Sequence, residues 1–175
     1  MASASFTFLW FTSSADPEGV LKVLAVDGDE ACSQPFSFDI RLACDRKRVD
    51  TIKQGEGSGM QHTTADLLIG TGPQPELDRR CIRGLLSELT RLDDDHDYSY
   101  FRARLVSPLW ALRERVNSRV FQQLDPIAIV QQVLKDHPAT ARLRVEVICR
   151  AKPEVREHVL QYQETDLDFI SRLLA

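Results

Sequence analysis

Four histidines are the first residues to ask for chemistry, and their spacing does not supply it. His62, His96, His137 and His158 are scattered, with no pair at the helical spacing by which HExxH holds a metal. His137 lies beside Pro138 at a helix end, where a cation is favoured by the dipole. His96 sits among Asp93, Asp94, Asp95 and Asp97, which could gather a divalent ion. An acidic turn of this kind is more simply a solvated, self-repelling tip. Glu164, Asp166 and Asp168 offer paired carboxylates for acid–base work, but they fall where a helix start needs a cap and negative charge. Gly55, Gly57 and Gly59 make GxGxG, yet no strand leads tightly into it and no helix follows, so it does not read as a phosphate cradle. No Ser, Cys or Lys occupies a nucleophile motif. The expectation is a non-enzyme with no catalytic, metal or cofactor-binding residues and no cofactor.

Composition narrows the class. A chain of 175 residues suits one domain, or one and a part. Hydrophobic content of 43% and charged content of 27% are those of a folded globular chain. A net charge of -4 and a pI near 5.6 argue against a dedicated nucleic-acid binder. Arg102 and Arg104 beside Tyr98 and Tyr100 therefore read as cross-strand ion pairing or protein packing, not as a nucleic-acid surface. No apolar run approaches the roughly 20 residues that span a bilayer, so no membrane partner is expected. Phe6 to Phe11 is too short for a secretory h-region. Cys32, Cys44, Cys81 and Cys149 show no CxxC spacing and read as buried free thiols.

The elements that must position these residues are mostly strands. Ser5 to Thr12 has Phe6, Phe8 and Trp10 on one side, and Val20 to Val26 follows the turn Asp16–Gly19. Phe36 to Cys44 alternates cleanly, with Phe36, Phe38, Ile40, Leu42 and Cys44 inward, as in an antiparallel sheet with one wet face. Val49 to His62 reads as a polar loop after one helical turn. Thr63 to Ile69, Arg80 to Leu89 and Tyr98 to Val106 read as strands, the last two joined by the acidic turn. Leu109 to Val116 predicts a helix with Trp110 as a core anchor. Asp125-Pro126 opens another helix that Pro138 closes. Arg142 to Cys149 and Val155 to Tyr162 predict strands. Thr165 caps a final helix whose Leu167, Ile170 and Leu174 want burial. That face has only just formed when the chain stops at Ala175, an ending that reads as a cut. Strands and helices do not alternate regularly, so the fold class is mainly β with α insertions, an antiparallel barrel rather than a doubly wound sheet.

Five stretches in order resemble one family. Gly28-Asp29-Glu30-Ala31-Cys32-Ser33-Gln34-Pro35-Phe36 is similar to the G-x-E-x-L-S-x-P-F segment of VgrG proteins, the spike of the bacterial type VI secretion system, with Cys32 in place of Leu. Arg83-Gly84-Leu85-Leu86 resembles the family's aromatic-x-G-hydrophobic strand. Pro108-Leu109-Trp110-Ala111-Leu112 resembles P-x-x-W-x-L, and Ser118-Arg119-Val120-Phe121-Gln122 resembles S-R-I-F-Q. Gln161-Tyr162-Gln163-Glu164-Thr165-Asp166-Leu167-Asp168-Phe169-Ile170-Ser171-Arg172-Leu173-Leu174 is similar to Q-Y-x-E-S-D-x-D-F-x-x-R-L-L. His158 and Val159 stand where an aromatic and a Cys are common, and Thr165 replaces Ser.

The resemblance implies a hub like that of contractile phage baseplates. Residues 1–107 would form the first antiparallel barrel, and residues 108–175 a helical insertion and the start of an incomplete second barrel. The motif residues would be structural: Gly28, Glu30, Ser33, Pro35, Phe36, Gly84, Pro108, Trp110, Arg119, Phe121, Gln161, Tyr162, Glu164, Asp166, Asp168, Phe169, Arg172 and Leu173. The implied partners are itself, as a homotrimer, and the secretion tube ring protein. A spike tip protein, effectors or adaptors would engage regions beyond this sequence. The implied location is the bacterial cytoplasm during assembly, then the outside or a target cell. The rivals are a stand-alone β-barrel binding module and a metal-assisted enzyme around Asp93 to Asp97.

Overall fold

The fold begins with strands that pair strictly antiparallel. A computed structural model describes residues 7–52, 63–71, 79–151 and 153–175. The chain divides into two compact units, Met1–Ser107 and Pro108–Ala175.

The first unit is a six-stranded sheet in the order β1-β4-β5-β6-β3-β2. Its strands are β1 Thr7–Ser13, β2 Lys22–Asp29, β3 Ser37–Asp45, β4 Thr63–Thr71, β5 Arg79–Asp94 and β6 Tyr98–Val106. The sheet curls so that its edge strands β1 and β2 approach one another. Period-2 alternation puts Phe38, Ile40, Leu42 and Cys44 of β3 on the concave side, with Phe101, Ala103 and Leu105 of β6, Leu67 of β4 and Leu86 of β5. The turn after β1 is fixed by Asp16, whose buried carboxylate accepts the amides of Val20 and Leu21 at 2.9 Å each. Those two residues are buried ahead of β2 rather than within it, so the second strand starts two residues later than its hydrophobicity predicts.

Two glycines let strands approach closely. A Cβ on Gly28 would lie 2.3 Å from the Ser37 carbonyl oxygen and 2.6 Å from Phe38 Cδ1. A Cβ on Gly84 would lie 2.5 Å from the Val106 carbonyl oxygen. No side chain fits at either position.

The second unit holds a two-stranded antiparallel ribbon, β7 Val116–Leu124 with β8 Arg156–Thr165. Helices α1 Pro126–Asp136 and α2 Asp166–Leu174 complete it. Asp125 accepts the Ala128 amide at 2.9 Å and Pro126 occupies the first turn, as the sequence predicts. The core joins Phe121 and Val159 of the ribbon to Ile129, Val133, Leu167, Phe169, Ile170 and Leu173. The rings of Phe121 and Phe169 stack with centroids 5.5 Å apart.

Several sequence expectations are corrected. Leu109 to Val116 is not one helix: Pro108–Arg113 forms a 3-10 helix, and Val116 already opens a strand that the helical reading hid. Trp110 is only partly buried, and Leu112 anchors this turn. Arg142 to Cys149 is not a strand, because nothing among the described residues pairs with it. Phe8 and Trp10 lie on the exposed side of β1, and Phe11 is the buried aromatic. Leu174 is exposed and Leu173 takes its place in the core. Strand β5 runs to Asp94, well into the stretch read as a turn. Only Cys44 is buried. Cys32, Cys81 and Cys149 are exposed, since alternation puts Cys81 outward and Cys149 lies in the unpaired stretch. His62 and the Gly55–Gly59 motif lie outside the described residues.

Candidate functional site

No group of three His, Cys, Asp or Glu able to hold a metal occurs among the described residues. At the tip, Asp94 accepts from Arg91 at 3.1 and 2.5 Å, and Asp95 accepts from the amides of Asp97 and Tyr98 and from the Tyr100 hydroxyl. The tip is solvated, as expected, and two of its carboxylates, Asp94 and Asp95, have partners within it. The Arg91 guanidinium holds the Asp94 carboxyl below its ordinary value, and the Tyr100 hydroxyl does the same for Asp95.

The convergent site is in the second unit, around Asp166. As the first residue of α2, Asp166 turns its side chain inward to 0% exposure. Its Oδ1 accepts from Arg119 Nη2 at 2.7 Å, Gln161 Nε2 at 2.8 Å and Asn117 Nδ2 at 2.9 Å. Its Oδ2 accepts from Arg115 Nε at 2.7 Å. Its backbone amide donates to the Arg115 carbonyl at 3.0 Å. Gln161, also 0% exposed, accepts from Arg119 Nε at 3.0 Å and donates to the Glu164 carbonyl at 3.2 Å. Arg115 and Arg119 reach on to the end of α1, through the Asp136 carbonyl at 3.1 Å and its carboxylate at 3.4 Å. Arginines there also complement the negative end of the helix. One buried carboxylate thus ties β7, β8, α1 and α2 together.

Burial alone would push the Asp166 carboxyl up. The hydrogen bonds from Asn117, Gln161 and Arg115 and the charge of Arg119 outweigh it, and the group sits below its ordinary value. Within this enclosure both oxygens of the carboxylate already accept hydrogen bonds from side chains of the clamp. Arg115 Nη2 is buried without a hydrogen-bond partner, a cost accepted within the cluster.

Around this centre the motif residues find places. Thr165 caps α2 by accepting from the Asp168 amide at 3.0 Å, and its hydroxyl donates to the Asp168 carboxylate at 2.6 Å. Glu164 accepts from Arg172 at 2.6 and 3.3 Å, and Arg172 lies over the Phe169 ring at 5.4 Å. Arg119 lies 5.5 Å from the centre of the Phe121 ring. Leu173 and Phe169 are core, whereas Tyr162 points outward. Pro108 starts the 3-10 helix that carries Trp110. In the first unit Gly28 and Gly84 sit at the two close strand contacts, and Glu30 pairs with Arg80. Ser33 has a left-handed φ of 63 in the turn that leads through Pro35 to Phe36. The Phe36 ring lies 5.6 Å from that of Phe38. Within the second unit the structure gathers Arg119, Phe121, Gln161, Glu164, Asp166, Asp168, Phe169, Arg172 and Leu173 in one place. Arg115, Asn117 and Asp136 escaped the sequence reading. Their signal was available: Arg115, Asn117, Arg119 and Phe121 alternate and so share one face.

The chain matches the phage tail baseplate hub (GPD) family over residues 29–175, and it belongs to that family. It is 32% identical over 152 residues to the type VI secretion system spike protein VgrG5 of Pseudomonas aeruginosa, covering 87% of this chain and 18% of the relative. It is 30% identical over 155 residues to VgrG4b of the same organism, covering 89% and 18%. The chain therefore spans less than a fifth of these curated relatives. Its fold is similar to that of an Escherichia coli component of the type VI secretion system said to resemble T4 phage tail proteins gp27 and gp5. That match has a TM-score of 0.74 and 22% identity, over 94% of this chain and 42% of the other.

Proposed function

We propose that this chain is the hub-forming part of a type VI secretion spike and acts structurally. Residues 1–107 form the first barrel of the hub, and residues 108–175 form its helical insertion and the opening of a second barrel. In the whole protein three copies assemble, join the secretion tube ring protein to the puncturing needle, and carry effectors or adaptors through regions beyond this sequence. Assembly takes place in the bacterial cytoplasm, and the particle then leaves the cell. The motif residues serve this role by fixing the fold, chiefly through the Asp166 clamp.

One observation carries the reading. The family match runs through residues 29–175, and Arg119, Gln161 and Asp166, which lie in two of the stretches that resemble spike proteins, are spent on one another and on Asn117. The test is to express the reading frame with its genomic continuation and measure mass by light scattering at micromolar concentration. A trimer that captures the tube ring protein is expected. A monomer that does not capture it overturns the reading in favour of a stand-alone binding module.

A further inference from the structure

We propose that residues 143–149 add to the free edge of β8 as a third strand, in the hairpin register that sets Val145 opposite Leu160. The segment belongs to no ladder among the described residues and carries the alternation of a strand, and its first amide, that of Leu143, donates to the Thr140 carbonyl at 2.9 Å. Leu143, Val145 and Val147 share one side and are exposed, and Ile148 is 87% exposed. Among the described residues, β8 is paired with β7 on one edge and with no strand on the other. The outward face of the ribbon exposes Val120, Leu160 and Tyr162, with Val120 directly opposite Leu160. A two-stranded ribbon is the weakest form of sheet, and a third strand relieves both deficits, unpaired backbone and uncovered apolar side chains.

Geometry selects the register. In this register the sequence between the two strands would be four residues long and carry Pro153, a composition that suits a type I turn. With that loop, Val147 faces His158, Val145 faces Leu160 and Leu143 faces Tyr162, so the apolar residues extend the existing outward face. A slip of one residue would drive them onto the inner face beside Val159 and Gln161, which the helices already fill. A slip of two in the other direction would pair Leu143 with Glu164, beyond Gln163, whose left-handed φ of 49 ends the regular strand. One edge acceptor is already in use, because Arg172 Nη2 donates to the Leu160 carbonyl at 3.2 Å. A carbonyl oxygen has a second lone pair to offer the incoming strand.

Cysteine pairs read the register directly. In the full chain with Cys32, Cys81 and Cys149 changed to Ser, the pair Leu143→Cys with Tyr162→Cys is compared with Leu143→Cys with His158→Cys. Both are equilibrated in reduced and oxidised glutathione. The in-register pair is expected to close with an effective concentration about tenfold higher, although its loop is longer. An unpaired strap obeys loop-closure entropy and favours the shorter loop, so equal or reversed values overturn the proposal. Hydrogen exchange on the unsubstituted chain is the second reading. Amides of residues 143–149 protected at least about tenfold over a free chain support the added strand, and exchange at free-chain rates overturns it.

Discussion

Two carboxylates among the described residues are each held by two arginines, and they differ most in their access to water; the buried one also has two amide donors, Asn117 and Gln161. Asp39, on the outer face of β3, accepts from Arg102 at 3.1 Å and from Arg104 at 3.1 and 3.2 Å, with 39% of its side chain exposed. Asp166 accepts from Arg115 and Arg119 at 2.7 Å each, with none of its side chain exposed. Both carboxyls lie below their ordinary value, Asp39 chiefly through the Arg104 hydrogen bond. The first pair is bathed in solvent that would serve nearly as well as the arginines. The second exists in a place where nothing but those donors can replace water. The same chemistry is therefore trim on one unit and framework on the other.

The largest expected effect follows from breaking the buried member. Asp166→Asn leaves Arg115 and Arg119 without their anion, and should cost about 3–5 kcal/mol in urea unfolding at neutral pH. A loss below about 1 kcal/mol would place the clamp with the surface pairs. The pH dependence has a definite sign. A folded-state pKa below the unfolded value means the contribution is complete above about pH 4 and fades as pH falls through the lowered value. The gap between the parent and Asp166→Asn should therefore shrink in acid, measured by urea melts at neutral pH and near pH 3.

Next in size come the close strand contacts. Gly84→Ala places a methyl 2.5 Å from the Val106 carbonyl oxygen and about 3 Å from Leu105, and should cost about 1–3 kcal/mol. Gly28→Ala is the same experiment beside Ser37 and Phe38. Thr165→Ala removes the α2 cap and should cost about 1 kcal/mol. Thr165→Ser should keep it, since the accepted bond needs only a hydroxyl. The smallest effect is expected at Asp39. Discounted for solvent, Asp39→Asn should cost less than about 1 kcal/mol and respond to salt. If Asp39→Asn matched Asp166→Asn in thermal melts, burial would not be what separates the two sites.

Legibility followed the range of the interaction. The antiparallel strands of the first unit, the Asp125-Pro126 helix start and the Thr165 cap depend on residues a few positions apart, and they were readable. The clamp was half readable. Glu164, Asp166 and Asp168 looked alike in sequence, yet Glu164 pairs with Arg172, Asp168 with Thr165, and only Asp166 turns inward. That choice depends on Arg115, Asn117 and Arg119, which are far away in the chain. Gln161 makes the point from the other side. On β8 the amide is fully buried while its neighbours Leu160 and Tyr162 face out, the reverse of what hydrophobicity predicts.

By itself, then, the sequence determined what is local or repeated: a mainly β chain with α insertions, its caps and turns, and the ordered motifs that tie it to the baseplate hub family. Tertiary structure alone decided which of three neighbouring carboxylates is buried. It also decided that Pro108–Arg113 stops after a 3-10 turn, and that Val116 opens a strand paired with β8. The physical reason is common to all three. Alternation and propensity describe what a segment can do, whereas burial of a charge and closure of a ladder require a partner. Such partners are supplied only when distant parts of the chain meet.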